Sequence, residues 1–566
     1  MSRFVRTLAL IAAAVTACLA LSVFCDCHAL ADAGQEAALR VRIRLAREPK
    51  DNVPYTTAGT EYDRGFFVPQ IAGSRGYVIK QTSDVSTYLF SVAAADGVAD
   101  LTLDFDQLPD MISVSLNKTP LTTGEAVTVD LNDIADLRVS TAKKRAVIRL
   151  AFTTLPVVSV RTSGTISKYR TTGCALTLID PEYRLHGWQD AVLDTDAVIS
   201  LRGLSSSHYS EKHPYNFSIM KDGKKLDKSL LGLRTDSDWI LDSAFSDASR
   251  MRNRVLMDLW DELYRLPWNR ALSGGTKGRY VELFMNGTYR GLFVLSEKQD
   301  RSQLGLARQG GKYNSLLLKT RQGRLDNNSP AGFLSLSGER PEDDEPLTWY
   351  NVEVRYPTEN ITDYRALWED YYDFTRLVIR GSDEEFARDI EKYVDLDNLA
   401  VYWLFINGGD MSDNMVKNMT FARYDDRDPR FDRFILLPWD MDASLGRQYS
   451  SRKSAVEGTM SNRLFLRLIR GNVSGFCGRL QAKWAEMRQS VMTVDHIMSL
   501  FDGYYSVIRT SGADRREITA HPRFTSYLKG GFGFRLDFER ELSYIRTYME
   551  KRLAYMDSYI AGLGAE

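Results

Sequence analysis

Residues 413–442 read DNMVKNMTFARYDDRDPRFDRFILLPWDMD. The aspartates fall in three places. Asp413 opens the stretch, beside Asn414 and five residues before Asn418. A middle group surrounds Pro429, and acids beside a proline make a solvated turn. Asp440 and Asp442 close the apolar run FILLPW. The flanking segments 419–424 and 434–438 read as two strands joined by that turn. If they pair, the residues just before the first strand and just after the second lie side by side. Asp413, Asn418, Asp440 and Asp442 then meet at one edge. Three carboxylates and an amide are oxygen ligands of the kind Mg²⁺ or Mn²⁺ prefers. Like charges brought together repel unless a cation sits among them. Taken singly, each acid has a plainer reading: Asp413 caps a turn, and Asp440 and Asp442 lie in a solvated loop.

The chain around this hairpin sorts by period. Before it, after it and up to the C-terminus, runs such as YRALWEDYYDFTRLVIR, LDNLAVYWLFIN and FERELSYIRTYMEKRLAYMDSYI carry a 3.6-residue apolar face and read as helices. The hairpin is the only strand pair expected in that helical half, which spans about 361–562. Residues about 321–360 are polar, acidic and rich in Gly and Pro, and read as a loop or insertion. Residues about 155–320 read as mostly strands. Asn286-Gly287 between two alternating apolar runs marks a hairpin. Asp247 is placed to cap a helix carrying Val255, Leu256, Leu259, Trp260 and Leu263 on one face. Residues 32–154 show short alternating strands such as Arg40 to Leu45 and no helical pattern, which predicts a small all-β, sandwich-like module.

The hairpin's acids suit phosphoryl transfer, in which one Asp accepts the substrate hydroxyl proton while an Asn and another Asp hold metal against the phosphates. A loop and a basic residue are then needed over the nucleotide. Gly203-Leu204-Ser205-Ser206-Ser207 lies between two expected strands and is either a phosphate cradle or a polar turn. Arg202 stands directly at that loop. Lys212, Lys221 and Lys319 are further cations in or beside the strand-rich part, and Glu262 is either a partner for one of them or surface charge.

Five runs in order carry a resemblance: LRGLSSSHYSEKHPYNFSI, LLGLRTDSDWILDSAFSDASRMRN, YVELFMNGTYRGLFVLSEK, DNMVKN and LLPWDMDASLG. Together they resemble the CotH family of atypical protein kinases, related to spore coat protein H, over roughly 155–560. The resemblance implies an α+β, two-lobed kinase-like domain over 155–562, with a β-rich N-lobe and a helical C-lobe. It implies transfer of the γ-phosphate of ATP, with Mg²⁺ or Mn²⁺, to Ser or Thr of a protein. Carried over by position, Asp413 matches the catalytic aspartate, Asn418 and Asp440 match metal-binding positions, and Asp442 is their neighbour. Arg202, Ser205, Ser206 and Lys212 fall in the family's nucleotide-binding loop segment. Leu204 stands where the family commonly has Asn, and Met411-Ser412 precede Asp413 where it commonly has Asn-x. A second reading is a surface or matrix-binding protein that keeps the fold without turnover. A carbohydrate-active role finds no paired-acid motif in a suitable context.

The N-terminus predicts where the protein works. Arg3 and Arg6 precede an uncharged apolar run, and Ala29-Leu30-Ala31 gives a small-x-small cleavage site. Residues 1–31 therefore read as a secretory signal peptide, which predicts a secreted or cell-surface protein. Val15-Thr16-Ala17-Cys18 also resembles a lipobox, and an uncleaved anchor is the third possibility. Contact with a membrane is expected only through such a signal or lipid. The net charge of −1, from 73 basic and 74 acidic side chains, gives no reason to expect nucleic acid as a partner. Outside the leader only Cys174 and Cys477 remain, either paired or as two free thiols.

Overall fold

The computed structural model describes residues 40–564, except 48–66, 93–97, 105–110, 204–210, 309–314, 321–346, 525–533 and several shorter stretches. The leader (1–31) with its cleavage and lipobox positions, Ser205 and Ser206 lie outside the described residues. The chain is α+β, with several sheets and nine α-helices among the described residues.

From 40 to 153 every described regular element is a strand. These strands form a five-stranded sheet beginning at Arg40–Arg47 and a six-stranded sheet ending with Arg145–Thr153. The next strands are β1 (Val157–Arg161), β2 (Thr172–Ile179), β3 (Val192–Leu201), β4 (Tyr215–Lys221), β5 (Asp238–Asp242), β6 (Gly278–Met285) and β7 (Thr288–Glu297). They are hydrogen-bonded in the order β3-β2-β1-β6-β7-β5-β4, and β4 also pairs with β3. The seven therefore close into a ring with no free edge between them. Two or three alternate residues from each strand fill its interior, among them Val158, Leu176, Ile199, Phe217, Trp239, Val281 and Phe293. The period of two gives each strand one apolar face, and the closed sheet turns those faces inward. The β6–β7 turn is the one expected, with Asn286 and Gly287 at φ 49° and 75° and Met285 opposite Thr288.

The helices are α1 (Arg252–Leu263), α2 (Tyr364–Arg380), α3 (Asp383–Asp389), α4 (Leu396–Gly408), α5 (Arg463–Arg470), α6 (Phe476–Arg488), α7 (Val494–Thr510), α8 (Ala513–Ala520) and α9 (Phe538–Ala561). One core joins α1, α4 and most of the other helices, with Val255, Leu256, Leu259 and Trp260 buried in it as their spacing requires. Asp247 does not cap α1 as expected. The helix begins at Arg252 with Met251 in the cap position, while the Asp247 carboxylate accepts the Arg252 amide at 2.7 Å and pairs with its guanidinium at 2.7 Å.

The hairpin at the end of α4 is not alone. Its strands β11 (Met419–Arg423) and β12 (Ile435–Pro438) belong to a five-stranded sheet with β8 (Leu316–Thr320), β9 (Thr348–Trp349) and β10 (Val352–Tyr356), in the order β9-β10-β8-β11-β12. The stretch read as an acidic loop thus contributes two strands at its C-terminal end. β8, read with the first group of strands, pairs with the hairpin instead. The apolar residues Val352 and Val354 alternate there and are buried in the same core as Trp368 and Tyr371, which the polar composition upstream obscured.

Candidate active site

Helix α4 is buried on all sides, so the loop that leaves it is held at a fixed point. The Asn398 side chain grips β12 from the helix, donating to the Leu436 carbonyl (3.1 Å) and accepting its amide (2.7 Å). The loop turns back at once, with the Met411 amide on the Ile406 carbonyl at 2.9 Å. A single 3₁₀ turn, Ser412–Met415, then carries Asp413. Buried Asn414 staples the loop to the far strand end, donating to the Trp439 carbonyl at 2.7 Å and the Asn418 carbonyl at 3.2 Å. Tyr402 of α4 donates to the Asn414 carbonyl at 2.6 Å.

The strand register does the rest. Met419 pairs with Pro438, so Asn418 and Trp439 are the next step outward, and the Trp439 amide donates to the Asn418 carbonyl at 3.1 Å. The Asn418 side-chain amide donates to the Asp440 carbonyl at 3.3 Å. Asn418 and Asp440 meet at the strand ends, as the pairing predicts. Beyond them, the Met441 amide donates to Asn253 Oδ1 on α1 at 3.1 Å, and Asn253 Nδ2 donates to Asp242 at 3.3 Å. Ser246 donates its hydroxyl to Asp442. The acid-bearing segment is thus tied to both the strand ring and α1.

Electrostatics unite the acids. Burial pushes the Asp442 carboxyl well above the usual range; Asp440 adds to this, the Ser246 hydrogen bond opposes it, and Asp413 and Asp242 raise it further. Burial also raises Asp413, with Lys417 opposing and Asp440 reinforcing. Lys417 pairs with Asp413 at 2.8 Å, and against its burial the charges of Asp413, Asp440 and Asp442 hold its proton more firmly. Asp413, Asp440 and Asp442 therefore share one field, which the Lys417 ammonium also feels. Among the described residues, no three Asp, Glu, His or Cys side chains are gathered closely enough to form a finished metal site. The donors a hard cation would find here are the carboxylates of Asp440, Asp442 and Asp413 and the Asn418 amide oxygen. All are oxygens, and their mutual repulsion is what such a cation relieves.

The cations read at the strand-rich part separate into three places. Arg202 follows β3, and its guanidinium carbon stands 5.2 Å from the centroid of the Trp439 ring, next to Asp440. Lys319 stands 4.9 Å from the same centroid. Burial lowers Lys319 to about 7, helped by Arg355 and Arg202 and opposed by Asp440. Lys221 is exposed at the end of β4. Lys212 is 2 % exposed, donates to the Leu292 carbonyl and pairs with Glu517 on α8 at 2.8 Å. Glu517 also receives Arg250 at 2.9 Å and the Leu292 amide at 2.8 Å. Burial alone would raise Glu517, but Lys212 and Arg250 hold it down at about 2. Asp242 is close enough to act on both Lys212 and Asp442, which links the two charged clusters. Among the described residues the partner of Glu262 is His496, at 2.7 Å, and not a lysine. Cys174 and Cys477 are free, buried thiols.

Sequence reasoning passed over Lys417, Asp242, Asn253, Ser246 and Glu517. Asp242 carried a usable signal, since it ends the apolar run WIL as Asp440 ends FILLPW. The family model described as CotH kinase protein matches residues 199–556, which include every site residue described above. No curated protein matches the chain.

Proposed function

From the fact that the chain belongs to the CotH kinase family, we propose that it is a two-lobed protein kinase that transfers the γ-phosphate of ATP to a Ser or Thr hydroxyl of a secreted or surface protein. The strand ring and the helical part act as the two lobes. The observation that carries the reading is the juxtaposition at the hairpin end: Asn418 bonded to Asp440, with Asp413 and its Lys417 partner in the same field. Mg²⁺ or Mn²⁺, when bound, supplies charge neutralisation on the phosphate oxygens. Asp440, Asp442 and the Asn418 amide oxygen are the residues that hold it. Asp413 accepts the proton of the acceptor hydroxyl as its oxygen bonds to the γ-phosphorus and the bond to the β–γ bridging oxygen breaks, releasing ADP. A carboxylate raised above its usual value is the better proton acceptor for this step. Arg202 meets the phosphates beside the loop bearing Ser205 and Ser206. The basic, apolar leader supports export, so the reaction belongs outside the cytoplasm. Among the described residues no helix is long and apolar enough to cross a membrane.

The second reading is a surface scaffold that retains the fold without turnover. Calorimetry separates the two. The kinase reading expects ATP to bind with Mg²⁺ or Mn²⁺ and Asp440→Ala to abolish the metal-dependent part. Nucleotide binding unchanged in Asp440→Ala removes the assigned metal role, and no ATP binding by the wild type leaves the scaffold.

A further inference from the structure

Two cations meet on one indole. Arg202 comes from the end of β3 and Lys319 from β8, so the strand ring and the hairpin sheet each contribute one. Both charged groups stand over the Trp439 ring, at 5.2 and 4.9 Å from its centroid. Trp439 is 8 % exposed, and its buried indole N–H has no acceptor among the described residues. Arg202 and Lys319 are both half-buried. Among the described residues neither forms an ion pair, although each is close enough to the other for repulsion to be felt. Attraction to the ring face offsets part of that repulsion. The rest is relieved by an anion that both can reach. The neighbouring residue is Asp440, the acid assigned to a hard cation. An anion that takes two cationic side chains on one side and a divalent metal on the other is a chain of phosphates.

We propose that Lys319 and Arg202, presented on the Trp439 ring, form the grip for the phosphate chain of the nucleotide, and that Lys212 does not contact it. Lys212 is committed to Glu517 and the Leu292 carbonyl in a buried cluster. Lys319 is then the lysine that specifies a triphosphate, and Trp439 is a positioning residue that fixes both cations beside Asp440. This assignment rests on the kinase reading.

The test is calorimetry on the full chain with Mg²⁺ and three probes: a non-hydrolysable ATP analogue, adenosine and inorganic tripolyphosphate. Lys319→Met and Arg202→Met should each weaken the ATP analogue and tripolyphosphate by about ten- to a hundredfold, the loss of a charge-assisted contact. Adenosine affinity should not move, and Lys319→Arg should restore most of the loss, which a merely misfolded variant does not allow. Nucleotide binding should also change Trp439 fluorescence in the wild type and not in Lys319→Met. If Lys319→Met binds the analogue as the wild type does while the wild type still transfers phosphate, the grip is wrong and the kinase reading stands. If the wild type binds tripolyphosphate through Lys319 but no ATP, the anion site stands and the kinase reading falls. If it binds neither, both fall.

Discussion

Asn418 and Asp440 hold left-handed backbone, at φ 57° and 56°. Asn and Asp tolerate this region better than other side chains, yet each such residue still costs roughly 1–3 kcal/mol where the surroundings force it. Here the surroundings do force it: Asn414 bonds to the carbonyls of both Asn418 and Trp439, and Asn253 holds the Met441 amide. Asn253→Ala should therefore cost about 1–3 kcal/mol through the unpaired groups it leaves. It should also raise the Mg²⁺ concentration needed for half-maximal phosphate transfer more than it lowers the rate at saturating metal. A metal titration of transfer checks this; an unchanged metal requirement removes Asn253 from the positioning of Asp440 and Asp442. The acids themselves were legible in the sequence because strand pairing is local, and a hairpin dictates what its ends bring together. Lys417 was not, because a lysine between Asp413 and Asn418 looks like any solvated lysine until the loop's fold shows which carboxylates surround it.

Helix α8 is where pattern reading failed. Its sequence, ADRREITA, has no apolar period, since its buried face is ionic. Glu517 enters the cluster of Lys212 and Arg250, and Arg516 forks onto buried Glu282 at 2.8 and 2.5 Å. Lys212 and Glu517 are separated by 305 residues, so no spacing rule could join them. Removing one partner of a buried pair leaves an uncompensated charge, so Glu517→Ala should destabilise the protein by about 3–5 kcal/mol. Urea denaturation measures this, and a loss below about 1 kcal/mol, the size of an exposed pair, would mean that α8 does not lock onto the strand ring. The opposite case is the β6–β7 hairpin, legible from Asn286-Gly287 alone. Gly287 sits at φ 75°, so Gly287→Ala should cost about 1–2 kcal/mol in the same assay.

At the scale of the molecule, the division into strands first and helices second was legible from the two hydrophobic periods. The closed ring was not. Its closure depends on β3 meeting β4 and on the parallel pairing of β1 with β6, contacts between segments whose own sequences are satisfied by any sheet. Buried ionic groups bind the ring to α8, and α9 to α1: Glu541 of α9 receives Arg252 of α1 at 2.6 Å and Arg447 at 2.7 Å. Against burial, which would raise it, those two arginines hold Glu541 down at about 2, as Lys212 and Arg250 do Glu517. Both folded values lie below the ordinary glutamate value of 4.5, so the unfolded chain binds more protons in between. Their stabilisation is complete above about pH 4.5 and is lost as the pH falls toward 2. Asp413 and Asp442, both raised, work in the other direction and gain from mild acidification. Thermal unfolding across this range should therefore show the midpoint collapsing at the acid end, with part of the slope absent in Glu517→Gln.

The phosphate transfer proposed for this protein turns on Asp413. The most direct measurement incubates the protein with ATP labelled at the γ-phosphate, Mg²⁺ or Mn²⁺, and a serine-rich acceptor, beside Asp413→Ala. Metal-dependent label is expected on the protein or the acceptor. In Asp413→Ala the label should fall by about a hundredfold or more, the usual weight of a general base, while ATP binding persists. Label that survives undiminished in Asp413→Ala, or a wild type that binds ATP with metal yet labels nothing, would contradict that role of Asp413.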